Sequence, residues 1–309
     1  MRRTIGRRGF VAPCGRFLPF GGMASRPAPT ADELHTRLDG RRLSELDDLT
    51  RSLAMAELSM IAYLDGHDAD EPAEVMGFAD IEFIDRDGAQ ATVFLSEHDR
   101  VVACRGTEPH EWNDVKADAN ALTDLAETVG RVHRGFKREV DDLWPLVKDH
   151  LVEDGRDVWF TGHSLGGAMA MICAGRCELA DIPIHPVQVI TFGAPRVGTK
   201  RYVSHADLDI LRWVNNNDVV ARVPPMWMGY QHVGRLQYLD ADGVLRKMSR
   251  KAIAQDRWRG FVEGLKRGRV DNLQDHLVLD YVAHIAANLE RRGAGQRSSA
   301  RSRQDQSAK

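Results

Sequence analysis

Residues 157–168, Asp-Val-Trp-Phe-Thr-Gly-His-Ser-Leu-Gly-Gly-Ala, constrain the fold of this chain more than any other stretch. The first half is short and apolar, the pattern of a buried strand. The second half places small residues around one serine and leads into a run that suits a helix. Together they read as strand, sharp turn, helix, with Ser164 on the turn. Gly162 and Gly166 flank the serine at two residues on each side. On so sharp a turn a side chain at either flank would collide with the neighbouring strand or helix. The turn lifts the Ser164 hydroxyl clear of a sheet and aims the first free N–H groups of the helix at the same point. The plainer alternative is a glycine-rich turn with an idle serine. The strand-like run before and the helical run after it favour a working nucleophile.

The flanking segments predict what surrounds this unit. Leu53–Leu64 has apolar residues at helical spacing and no breaker, so a helix is expected to pack on the sheet. Residues 75–84, with Phe78, Ile81, Phe83 and Ile84, read as a strand, and Asp87-Gly88 as a hairpin turn. Ala91–Leu95 and Arg100–Ala103 read as the next strands. Residues 108–131 are polar and irregular, the character of a surface loop or a lid. Helices are expected from about 136 to 153 and over 165–180, and strands at Val187–Phe192 and Ile210–Val214. Residues 235–248 suggest a second hairpin with Asp242-Gly243 at its turn, and a last helix from about Leu273 to Glu290 carries His276 in its first turn. Strands alternating with helices predict an α/β fold: a mostly parallel central sheet with helices on both faces and an antiparallel N-terminal edge. Ligands of such sheets bind at the carboxyl ends of the strands. Thr107, Ser164 and Asp218 each follow a strand, so they are expected along one edge.

Charge divides the chain into three parts. Residues 1–30 carry six Arg and no acid, and residues 291–309 carry five Arg and one Lys against one Asp. Both ends are basic and poor in large apolar side chains, so each is expected to be a disordered basic extension around a single domain over 31–290. Since the net charge of the whole is −3, that domain is acidic, which argues against nucleic acid as a partner. The arginines before Phe10, Val11 and Ala12 have the look of a targeting peptide, but Pro13, Arg16 and Pro19 interrupt the apolar region. The expectation is a cytoplasmic protein, with a twin-arginine-like export signal, or a true start at Met23, as alternatives. No apolar run approaches a membrane span. Cys14, Cys104, Cys173 and Cys177 suggest no disulfide framework in a chain of 309 residues, and Cys173 and Cys177, four apart, read as two small buried residues on one helix face. Residues 250–269 form a basic amphipathic pattern with Ala254, Trp258, Phe261, Val262 and Leu265 on one face, either an ordinary surface helix or a contact for an anionic lipid surface.

A serine hydroxyl is a poor nucleophile at neutral pH. It needs a base to take its proton, and the base needs an acid to fix its tautomer. Of the histidines, His163 adjoins the serine but is expected to point away from it on the turn. His133, His185 and His205 precede Asp218, and His232, His276 and His284 follow it. Where the order along the chain is serine, acid, histidine, as on α/β-hydrolase scaffolds, the last three qualify. His276 is preferred because it opens a helix able to pack at the sheet edge. His232 lies in a strand-like segment, and His284 sits two turns further on.

Beyond the serine, Val102–Thr107 (Val-Ala-Cys-Arg-Gly-Thr), Trp112-Asn113-Asp114, Val132–Phe136, Thr161–Ala168, Thr191–Gly198 (Thr-Phe-Gly-Ala-Pro-Arg-Val-Gly) and Val214–Pro224 follow one another in an order that resembles the class 3 lipases, the fungal triacylglycerol lipase-like family, over roughly residues 50–290. The resemblance implies an α/β-hydrolase fold and a carboxylic ester hydrolase acting on lipids without metal or other cofactor. A short-chain carboxylesterase, a phospholipase or a catalytically dead lipid-binding module are the alternatives. It implies Ser164 as nucleophile, Asp218 as acid, His276 as general base, Thr107 and the Leu165 N–H as oxyanion-hole donors, and 108–121 with Trp112 as lid. Cys104 stands where fungal members often have Phe. The lid stretch is polar, with Glu108, Glu111, Asp114 and Asp118, which weakens the case for activation at an interface, and the family's disulfides find no partners here.

Overall fold

The computed structural model describes residues 33–64, 66–106, 123–126, 129–179, 182–216, 218–249, 251–253, 255–256 and 276–307. The expectations for residues 1–30, for the lid with Trp112 and for Thr107 lie outside these, as does most of the basic stretch 250–269.

Helix α1 (Asp48–Ile61) starts where Asp47 caps it, its carboxylate accepting from the N–H groups of Leu49 and Thr50. Helix α2 (Asp70–Met76) ends at Gly77, whose φ of 103° is the left-handed cap that glycine adopts freely. The sequence expected residues 75–84 to be one strand. The glycine cap explains the difference: the apolar run Val75–Phe78 straddles the end of a helix, and β1 (Asp80–Arg86) begins only after it. Asp87 and Gly88, both at positive φ, then turn the chain into β2 (Ala89–Leu95), and β3 (Asp99–Cys104) follows. After β4 (Thr123–Leu125) and β5 (Arg131–His133) come α3 (Arg134–His150), β6 (Asp157–His163), α4 (Leu165–Cys177), β7 (Gln188–Phe192), β8 (Gly198–Thr199), α5 (Lys200–Val203), β9 (Ile210–Asn215), β10 (Tyr230–Gln231), β11 (Arg235–Leu239), β12 (Leu245–Arg246) and α6 (Val278–Ser307).

Among the described residues the central sheet has eight strands in the order β1-β2-β3-β6-β7-β9-β11-β12. β3, β6, β7, β9 and β11 run parallel, and the edges are antiparallel at both ends, not only at the N-terminal one. The inner strands are buried on both faces, which is why their sequences are almost continuously apolar. Side chains alternate between two cores. Val101, Ala103 and Trp159 pack with α1 and α6, while Val102, Cys104, Val158 and Phe160 pack with α3 and α4. Cys173 and Cys177 are free thiols buried in the second core. A smaller sheet, β10-β8-β5-β4, is built from strands of two or three residues, too short to leave a period in the sequence.

Two buried carboxylates fasten the N-terminal segment. Glu57 accepts the backbone N–H groups of His35 and Thr36, and Asp99 accepts Leu43 N at 3.0 Å and Trp159 Nε1 at 2.8 Å. Burial pushes both carboxyls above the usual carboxylate range. At the other end, α6 begins at Val278, just after His276 rather than before it. It also continues as helix to Ser307, where the sequence expected a disordered tail from 291. That run contains no proline, and Arg292 makes a two-pronged pair with the Asp47 carboxylate at 2.7 and 2.9 Å.

Candidate active site

Ser164 is the last residue before α4 and has φ 59° and ψ −131°, a strained conformation for a residue with a side chain. Its N–H donates to the Phe192 carbonyl at 2.9 Å, tying the turn to β7. The glycines are needed for the steric reason anticipated. A Cβ on Gly162 would lie 2.4 Å from the Gly166 carbonyl carbon, and one on Gly166 would lie 2.1 Å from the Cys104 carbonyl oxygen.

Three elements bring the expected residues together. Ser164 Oγ lies 2.8 Å from His276 Nε2, and His276 Nδ1 lies 2.9 Å from Asp218 Oδ2. An ionised carboxylate only accepts, so Nδ1 carries the hydrogen and Nε2 is free to accept from the serine hydroxyl. All three residues are buried. Asp218 is also held by Val220 N at 2.8 Å and by the Tyr281 hydroxyl at 2.6 Å. Tyr281 OH in turn accepts from Asn215 N at 2.9 Å, so one hydroxyl links the end of β9 to the carboxylate that follows it. Gly193, at φ 62°, lies over the pair: a Cβ there would stand 2.5 Å from Asp218 Oδ2 and 2.9 Å from His276 Nδ1.

The other histidines that follow Asp218 are occupied elsewhere. His232 Nε2 donates to the Ala221 carbonyl at 2.8 Å, and His284 Nδ1 lies 3.1 Å from Asn215 Oδ1. His163 points away from the serine, as expected, but is not idle. Its Nε2 donates to the His276 backbone carbonyl at 2.5 Å, and its Nδ1 therefore accepts from the Tyr63 hydroxyl at 3.0 Å. Burial, reinforced by the neighbouring His276, holds its imidazole well below the ordinary value of 6.5 and keeps it neutral. Sequence reasoning missed the parts played by His163, Tyr63, Tyr281 and Gly193, because each depends on a contact between distant segments that no local spacing announces.

Leu165 is the first residue of α4, and its N–H has no helical carbonyl four residues back. Gly106 lies against the same turn: a Cβ on it would stand 2.8 Å from the His163 carbonyl oxygen and 3.2 Å from Gly166 N. Thr107 follows directly but is not among the described residues. Within those residues no group of His, Cys, Asp and Glu could hold a metal ion.

Residues 101–228 match the family described as lipase (class 3), a span that contains Ser164 and Asp218 and ends before His276. A lipase of Rhizopus niveus is 33% identical over 114 residues, covering 34% of this chain and 29% of that protein. Toxin TseL of Vibrio cholerae is 33% identical over 129 residues, with coverage of 40% and 20%. Phospholipase A1-II 4 of Oryza sativa subsp. japonica is 30% identical over 172 residues, with coverage of 45% and 43%. The chain thus spans less than half the length of these curated relatives. Among solved structures, a fungal lipase–inhibitor complex aligns with a TM-score of 0.52 at 24% identity, over 62% of this chain and 80% of that one. The Rhizomucor miehei lipase–propeptide complex aligns with a TM-score of 0.52 at 21% identity, over 62% and 67%. At these identities the likeness establishes the α/β-hydrolase fold.

Proposed function

We propose, for a chain whose residues 101–228 match the family described as lipase (class 3), that it hydrolyses carboxylic esters of lipids through an acyl-enzyme on Ser164. The observation that carries this is one imidazole bridging a serine hydroxyl and a buried carboxylate at 2.8 and 2.9 Å. As Ser164 Oγ attacks the ester carbonyl carbon, its proton passes to His276 Nε2. Asp218 stabilises the imidazolium through Nδ1–H without taking the proton itself. The carbonyl oxygen becomes an oxyanion, for which the Leu165 N–H is one donor and Thr107 the other, each worth about 3–4 kcal/mol in comparable enzymes. Collapse of the tetrahedral intermediate breaks the C–O bond to the alcohol, which leaves with the proton from Nε2. Water then loses a proton to Nε2 and attacks the acyl carbon. A second collapse releases the carboxylic acid and returns the proton to Ser164 Oγ.

Triacylglycerol is the substrate we favour. A phospholipid is the second reading, supported by the likeness to a rice phospholipase A1. Contact of the basic stretch 250–269 with an anionic lipid surface belongs to the same proposal. The test is turnover of p-nitrophenyl esters from acetate to palmitate, emulsified triacylglycerol and phosphatidylcholine, alongside labelling by a fluorophosphonate. Ser164→Ala should be silent in every assay while keeping its fold. A wild-type protein that takes no label would leave a lipid-binding module without chemistry.

A further inference from the structure

His163 adjoins the nucleophile but takes no proton in the hydrolysis. Its ring is buried beside that of His276, with the centroids 4.6 Å apart and a tilt of 36°. Both of its ring nitrogens are engaged. Nε2 meets the His276 backbone carbonyl at 2.5 Å, and Nδ1 meets the Tyr63 hydroxyl at 3.0 Å. A carbonyl oxygen only accepts, so Nε2 carries the hydrogen and the phenol donates to Nδ1. Among the described residues no other group bonds either nitrogen.

Tyr63 reaches this point from another layer. It lies just beyond α1, and its N–H donates to the Met60 carbonyl at 3.1 Å. Helix α1 is itself fixed by the apolar side chains it packs against the sheet, Leu53, Leu58 and Ile61 among them. The Arg105 guanidinium lies over the Tyr63 ring, 5.7 Å from its centroid. The hydroxyl stands 2.8 Å from where a Cβ on Gly106 would sit, so glycine at 106 leaves the phenol its place. One phenol therefore packs on the segment after β3 and donates to the residue before the serine.

We propose that Tyr63 is a positioning residue for the general base. By donating to His163 Nδ1 it holds that imidazole in the orientation that puts Nε2–H on the His276 carbonyl. The backbone of His276 is thereby fixed, and its side chain must reach Ser164 and Asp218 at once. A histidine ring has a broad torsion about its Cβ–Cγ bond, so two bonds on opposite sides of the ring hold it where one would leave it free to turn. Small displacements matter here, because proton transfer and attack depend on closely set distances. The phenol also occupies the lone pair that a second proton would take. His163 then stays neutral, and no second positive charge faces the imidazolium that forms on His276 during attack. This proposal rests on the ester-hydrolase reading.

The test compares the full chain with Tyr63→Phe, His163→Phe and the double variant. It reads kcat and KM for p-nitrophenyl butyrate and the rate at which a fluorophosphonate labels Ser164. Tyr63→Phe keeps the ring under Arg105 and loses only the hydroxyl. It should lower kcat and the labelling rate by about threefold to tenfold, the worth of one hydrogen bond, with KM within about twofold. In the His163→Phe background the same change should cost less than about twofold, because Tyr63 acts through His163. Tyr63→Phe at the parent's rates, or losses that multiply in the double variant, would overturn the proposal. A parent that neither turns over ester nor takes label would instead overturn the hydrolase reading. Nitrogen NMR of the histidine-labelled parent needs neither activity nor a variant that folds. It should show His163 with its hydrogen on Nε2 and none on Nδ1, and a hydrogen on Nδ1 would overturn the proposal whatever the rates.

Discussion

Tyr281 and His163 are where single side chains decide how well the serine and histidine are held. The Tyr281 hydroxyl gives its hydrogen to Asp218 and receives that of Asn215 N. Tyr281→Phe removes both bonds. The expected cost is about 1–3 kcal/mol of stability, read by urea unfolding, together with a fall of about tenfold in kcat as the carboxylate loses a fixed donor. His163 acts on His276 through the backbone, so it is a positioning residue. His163→Phe should lower kcat by about tenfold with KM within about twofold, because ester binding does not use it. His163→Gln, whose amide can donate to the same carbonyl, should retain more of kcat than Phe does. Equal losses in the two variants would show that the hydrogen bond to the His276 carbonyl is not what matters.

At the level of elements, the turn between β6 and α4 and the helix that follows place opposite demands on glycine. Gly166 stands against the Cys104 backbone, and a methyl group there has no room, since backbone cannot retreat as a side chain can. Gly166→Ala is expected to give little soluble folded protein. Gly175, in the same helix, has nothing within 4 Å of where a Cβ would sit. Gly175→Ala should be folded and more stable by about 0.5–1 kcal/mol, from helix propensity and a less flexible unfolded chain. Thermal unfolding of the two variants side by side checks both expectations. The elements themselves were legible wherever apolar period and length agreed, as in α1, β2, β3, β6, β7 and β9. They were illegible where a cap or a partner intervened. Gly77 turns an apolar run into a helix end, and the short strands of the small sheet exist only because their neighbours supply the hydrogen bonds.

For the whole molecule, two histidines, His163 buried and His133 half-buried, set the response to mild acid. Burial lowers His133, which caps α3 and stacks on Phe136, to about 4, and lowers His163 well below the ordinary 6.5. The unfolded chain binds protons on both as pH falls below 6.5, and the folded chain does not until lower pH, so the unfolded state gains. Stability is therefore complete above pH 6.5 and should decline as pH falls from 6.5 towards 4. The urea midpoint at pH 5 should lie below that at pH 7, and a midpoint unchanged or raised would contradict the assignment. The acids Glu57 and Asp99 are raised by burial and work in the opposite sense, favouring the folded state as pH drops through the carboxylate range. For that reason the decline should be clearest above pH 5.

Taken alone, the sequence determined a parallel α/β sheet, a serine on a strand–turn–helix unit and a short set of acid and histidine candidates, among which its resemblance to the class 3 lipases pointed to Asp218 and His276. It could do so because these rest on local sterics and on periodicity: glycine at two positions around Ser164, apolar runs of strand length, and the order of serine, acid and histidine along the chain. The choice of His276 over His232 and His284 was settled in space, where His232 is spent on the Ala221 carbonyl and His284 lies against Asn215. Only the tertiary structure could reveal the Tyr63–His163–His276 chain of hydrogen bonds, the Tyr281 bridge from Asn215 to Asp218, and the exposure of Trp227. Each of these joins or exposes residues through the packing of segments far apart in sequence. That packing is fixed by burial over the whole sheet, not by any pattern a local stretch of chain can carry.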